Sequence, residues 1–214
     1  MATEASQLLL LLNWMSPTFP TGAFAYSHGL EWAIENGAIQ SGDDATNWIR
    51  ELISRGSLWN DAVLFVMCWT SDASALNEIT LALSSSRERY LETIQLGRSF
   101  SIAAAVFIDT ETSEAEIAYP VAAGMACRTA GIARETALLA YLQGMCCALV
   151  SVAVRLVPIG QTAGLRVLKS LIPIIVATAE RAVNASLEDL GSCALLSDVA
   201  AMKHETMSTR IFRT

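Results

Sequence analysis

Ala137-Leu138-Leu139-Ala140-Tyr141-Leu142-Gln143-Gly144-Met145-Cys146-Cys147-Ala148-Leu149-Val150-Ser151-Val152-Ala153-Val154 carries no charge and is closed by Arg155. A helix that crosses a bilayer needs about 20 consecutive apolar residues. This run is interrupted by Gln143, Gly144 and Ser151, so it predicts a helix buried on all sides inside a protein core. A core helix of this kind needs other helices around it, and the flanking sequence supplies them.

Ala, Leu, Glu, Gln and Met dominate the long segments, and alternating β-branched runs are nearly absent. The fold predicted is all-α: one helical, bundle-like domain over residues 1–196, with an irregular N-terminal segment and a flexible C-terminal tail over 197–214. Asp43 and Asp44 are expected to cap a helix whose apolar positions are Trp48, Ile49, Leu52, Ile53 and Trp59. A second helix is expected from Arg87 to Ile108, ending at the acidic loop Asp109 to Glu116. Pro120 starts a third and Gly131 ends it. The uncharged run is a fourth, stopping before Pro158. From Gln161 a fifth begins, which Pro173 is expected to kink or divide. The tail from Ser197 to Thr214 is short, polar and terminal, and is expected to be loose.

Composition narrows the function classes. Of 214 residues, 53% are hydrophobic and only 16% are charged, which disfavours disorder and suits a protein that buries surface against partners. The formal charge of −7, without a basic stripe, argues against nucleic acid. Met1 to Gln7 carry Glu4 and no positive charge, so no secretory signal is expected. The five cysteines, Cys68, Cys127, Cys146, Cys147 and Cys193, form no CxxC and sit in apolar stretches, as in a reducing compartment. A soluble, cytoplasmic chain with no membrane partner is expected.

Catalytic chemistry finds little purchase. The two histidines, His28 and His204, lie at opposite ends and match no metal-ligand spacing. There is no phosphate-binding glycine loop, and no cofactor is expected. Gly97, Ser101 and Ala105 lie four apart on one helix face beside Arg98. A glycine inside a helix costs about 1 kcal/mol relative to alanine, so that face points to a close helix approach, within the chain or across a dimer.

The two irregular ends bear a family resemblance. Ser16-Pro17, Pro20, Gly22, Phe24 and Tyr26-Ser27-His28-Gly29-Leu30-Glu31 resemble the N-terminal signature of the UreF family of urease accessory proteins. Lys203-His204-Glu205-Thr206, Ser208, Arg210, Phe212 and Arg213 resemble its C-terminal signature. Gln95, Gly97-Arg98-Ser99, Tyr119-Pro120-Val121 and Leu156 to Gly164 match in order between them. Lys203 where the family has Arg, Met207 and Tyr119 are departures, and Lys203 keeps the charge without the bidentate fork.

The resemblance implies an all-α homodimer without an active site of its own. It implies a scaffold that binds UreD (also called UreH) and recruits the GTPase UreG, so that nickel reaches apo-urease. By this resemblance Lys203, His204, Glu205, Ser208, Arg210, Phe212 and Arg213 are candidate contacts to UreD, with a nickel contact by His204 as a lesser option. Tyr26, Ser27, His28 and Glu31 are either contacts or scaffold. The competing expectation is a GTPase activator that inserts an arginine, Arg98, Arg128, Arg210 or Arg213, into the UreG site.

Overall fold

A computed structural model describes residues 3–110 and 116–214. Ten α-helices and no strand lie among the described residues: α1 (Glu4–Trp14), α2 (Leu30–Glu35), α3 (Gly42–Arg55), α4 (Ser57–Met67), α5 (Ala73–Ala82), α6 (Arg87–Ile108), α7 (Tyr119–Thr129), α8 (Arg134–Leu156), α9 (Gly160–Val183) and α10 (Leu195–His204). Residues 111–115, most of the expected acidic loop, lie outside the described part.

The uncharged run lies within α8, and of its residues only Leu139 and Ser151 are exposed. Its remaining positions meet α3, α4, α7 and α9. The Tyr141 ring is fully buried, 5.0 Å from Phe65 and 5.3 Å from Tyr119 between centroids. Close aromatic pairs of this kind add to simple area burial. By length and composition α6, α8 and α9 are each apolar enough to cross a membrane, where the sequence singles out one segment. In α8 that apolar character is spent on neighbouring helices.

The small-residue face of α6 packs within the chain. A Cβ at Gly97 would lie 2.0 Å from the Ile117 carbonyl oxygen, so the chain entering α7 runs against bare helix backbone. Gly124 makes the matching approach of α7 to α4, where a Cβ would come within 2.7 Å of the Phe65 carbonyl oxygen.

Local expectations need correction at four places. Ser41, not Asp43 or Asp44, caps α3: its hydroxyl accepts the Asp44 N–H and donates to the Asp44 carboxylate. Gly56 ends that helix in extended backbone, so Trp59 belongs to α4. Pro173 does not divide its helix: it lies inside α9, which continues to Val183. The tail is packed: α10 spans the expected boundary at 196/197, and His204, Phe212 and Thr214 are buried.

Candidate functional site

The irregular N-terminal segment is shaped by left-handed residues. Gly22 and Gly29 each have φ +77°, and His28, between them in the signature, has φ +57°. Gly29 has a second duty. A Cβ there would lie 2.6 Å from the Ala201 nitrogen, so it is the seat of α10. The two recognisable ends of the chain therefore meet, and the charged start of α6 lies beneath both.

Glu31 organises the contact. Its carboxylate accepts the Ile211 N–H at 2.7 Å and the Phe212 N–H at 2.9 Å, and lies 3.0 Å from His204 Nε2. His204 Nδ1 faces Glu88 at 2.7 Å, and Arg210 donates to the other oxygen of Glu88. An imidazole with a carboxylate at each nitrogen makes both bonds when each nitrogen carries a proton, or when one carboxyl does. Both ring nitrogens of His204 thus face a carboxylate.

A second cluster lies deeper. His28 Nδ1 is 2.8 Å from Glu92, which also pairs with Arg89. Burial pushes the Glu92 carboxyl up, but Arg89 and His28 outweigh it and hold the group down at about 2. Burial, followed by Arg89, pushes His28 below its ordinary value. The Arg89 guanidinium reaches the same His28 Nδ1 at 2.7 Å, and the His28 Nε2 is buried without a partner. The Thr214 hydroxyl donates to Glu92 at 2.8 Å, and its carbonyl accepts the Ser27 N–H at 2.9 Å. The Ser27 hydroxyl also donates to that carbonyl.

Around these clusters, Ala25 accepts the Arg213 N–H at 2.8 Å. Phe212 enters an apolar nest with Leu30, Ile39, Val152 and Val157, and the Arg155 guanidinium lies 4.6 Å from its ring centroid. The Tyr26 hydroxyl donates to Gln95, which also takes a hydrogen bond from Arg213. Beyond Arg89 lies a polar cavity of about 100 Å³ lined by Asp61, Thr80, Thr93 and Asp198. Burial pushes the Asp61 carboxyl up to about 6, against Arg89 and the Tyr141 hydroxyl, which donates to it at 3.2 Å.

The sequence candidates thus fall into two sets. Tyr26, Ser27, His28, Glu31, His204, Arg210, Phe212 and Arg213 converge on one another. Lys203, Glu205 and Ser208 are exposed at its edge, with Glu205 accepting the Glu88 N–H. Gly97 is buried against Ile117, Ser101 is half-buried and Arg98 is exposed. Glu88, Arg89, Glu92, Arg155 and Thr214 are members that sequence reading missed. Charges at 88, 89 and 92, in a chain with few charges, were the available signal. Among the described residues no group of three or more His, Cys, Asp or Glu is placed to hold a metal ion.

The site has relatives. The UreF family profile matches residues 39–172. The urease accessory protein UreF of Mesorhizobium japonicum is 44% identical over 214 aligned residues, spanning 97% of this chain and 96% of its own. This chain belongs to the UreF family of urease accessory proteins. The UreF proteins of Methylobacterium radiotolerans and Allorhizobium ampelinum are 42% and 40% identical, across 99% and 100% of this chain and 98% and 99% of theirs. The UreF profile stops short of both ends, whereas these alignments take in nearly the whole chain.

Proposed function

We propose that this chain is a non-enzymatic scaffold of urease maturation, working in the cytoplasm as a homodimer. It bridges UreD/UreH and the GTPase UreG so that nickel is inserted into apo-urease. The observation that carries the reading is the joined pair of chain ends. Glu31, His204, Arg210 and Phe212 hold α10 and the tail against the N-terminal segment, and much of what α10 presents outward is apolar. Leu195, Leu196, Val199 and Met202 on α10, with Ile211 beyond it, are all exposed. An exposed apolar face on a fixed helix is the feature of a surface awaiting a partner.

His204, Glu31 and Arg210 then act indirectly, by fixing the surface rather than touching the partner. The test is co-purification of the full chain, and of a Leu196→Asp/Val199→Asp variant, with UreD/UreH and then UreG, read by light scattering. The scaffold reading expects a complex with the parent chain and none with the variant. Absence of any complex with the parent chain overturns it.

A further inference from the structure

Helix α9 is apolar along most of its length, yet only 33% of that apolar stretch is buried, against 56% in α8. Its inner face, Val167, Leu171, Ile175, Ala179 and Ala182, packs on the helical body. On the outer face Leu165, Ile172 and Val176 are 65%, 53% and 41% exposed, and Pro173 and Ala177 lie open beside them. Contiguous exposed apolar side chains of this kind mark a contact surface.

The charges on this face are few and ordered. Arg166 and Lys169 stand in the first half of α9 and Glu180 near its end, all exposed. Among the described residues none of these three belongs to an ion pair. Lys169 and Glu180 lie about three helical turns apart, so they share a face, with Ile172, Pro173, Val176 and Ala177 between them. Arg181, next to Glu180, is turned to the body: it lies 3.9 Å from the Trp59 ring centroid and donates to the Ser54 carbonyl. Helix α3 runs alongside in the same direction, Thr46 meeting Ser170 and Ser54 meeting Arg181. Its own row has Asp43 toward the Lys169 end and Arg50 further along, while Glu51 and Arg55 pair with each other.

A row with opposite charges at its two ends is complementary to itself run backwards, which is what a two-fold axis presents. Two α9 helices set antiparallel about an axis level with Ile174 and Ile175 place each Lys169 opposite Glu180 of the other copy. Ile172, Pro173, Val176 and Ala177 are then covered between the two ion pairs. We infer that the outer face of α9 is the contact between two copies of this chain, joined antiparallel by Lys169–Glu180 pairs around Ile172 and Val176. This rests on the homodimer in the scaffold reading and adds its surface. The other candidate face, at Gly97 on α6, is taken up within the chain by Ile117.

The experiment uses the full chain and reads its dimer dissociation constant by analytical ultracentrifugation at low salt, with circular dichroism to verify that each variant is folded. Lys169→Glu makes both ends of the row acidic, and Glu180→Lys makes both basic, so each variant repels its own copy. Each is expected to weaken self-association about tenfold, because two exposed pairs turn from attraction to repulsion at once, and less at high salt. Mixed in equal amounts, the two variants face each other with opposite charges, and the dimer is expected to return. Ile172→Asp, near the centre, is expected to leave a monomer at concentrations where the parent chain is dimeric.

A parent dimer that Ile172→Asp and both charge variants leave intact overturns the α9 contact while the homodimer stands. A parent chain that stays monomeric throughout overturns the contact and the homodimer together, and leaves the bridging of UreD/UreH and UreG to its own test. Charge variants that weaken the dimer singly and fail to recover it when mixed overturn the antiparallel pairing.

Discussion

Glu31→Ala tests whether the tail is held as the geometry implies. The carboxylate receives the Ile211 and Phe212 amides at 2.7 and 2.9 Å and faces His204 at 3.0 Å, and Glu31 is only 6% exposed. Hydrogen bonds to a charged group contribute about 1.5–3 kcal/mol each. Losing the two amide bonds alone therefore costs the docked tail at least about 3 kcal/mol, a factor of roughly 100 in its docking equilibrium. The released amides reach water as the tail lifts, so the loss is local rather than global. Limited trypsinolysis reads this directly at the Arg210–Ile211 bond, because cleavage of a transiently opened segment follows its open population. Cleavage there is expected to rise by about two orders of magnitude, with thermal unfolding of the helical body little changed. Hydrogen exchange at the 211 and 212 amides should accelerate in parallel. Unchanged cleavage at Arg210 in a folded Glu31→Ala variant would refute the clamp.

Asp61→Asn bears on the buried carboxyl. A group raised from 3.8 to about 6 takes up its proton more readily folded than unfolded, so its contribution is most favourable below pH 3.8 and is lost as pH rises through 6. The variant should be more stable than the parent at pH 8, by up to roughly 3 kcal/mol, and lose that advantage near pH 4, measured by urea unfolding at both. Gly97→Ala should destabilise by about 1–3 kcal/mol or more, because the atom it meets is backbone, whereas Gly22→Ala, with open space around it, suffers only its left-handed φ. Paired urea midpoints compare the two, and equal losses would contradict the packing argument. For the activator alternative all four arginines are exposed, but Arg128 donates to the Cys68 carbonyl, Arg210 to Glu88 and Arg213 to Gln95, and Arg98→Ala is the variant that breaks none of these three bonds. Single-turnover GTP hydrolysis by UreG with the parent chain and with Arg98→Ala should be the same on the scaffold reading, and a large loss with binding intact would favour the activator.

What the sequence made legible is what lies within a few turns of helix. The bounds of α6 follow from its pattern, and the uncharged run reads as the buried helix it is, because periodicity and charge are local properties. The misses have two physical sources. At Gly56 the apolar series Ile49, Leu52, Ile53 is followed by Trp59 at compatible spacing, so a single glycine had to outweigh the pattern, and in the structure it does. At the tail, His204, Arg210 and Arg213 look like solvated charges to any local reading. Their acceptors Glu31, Glu88 and Gln95 come from elements more than a hundred residues away in sequence. No window along the chain contains both members of such a pair.

That separation also bears on why the ends are joined by charges at all. Packed apolar residues would hold α10 at least as firmly, since taking ions out of water costs much of what their attraction returns. What an apolar contact does not supply is register. His204 meets Glu31 and Glu88 together in one rotational setting of α10, and a helix turned by one residue leaves the buried Glu31 and the half-buried Glu88 without it. Gly29 enforces the same setting sterically, since α10 comes to rest where a side chain at 29 would strike Ala201. Two independent constraints thus fix which face of α10 looks outward. Leu195, Leu196, Val199 and Met202 are exposed because the opposite face is so specifically claimed, and a partner that reads those residues reads a surface whose orientation is set by both ends of the chain.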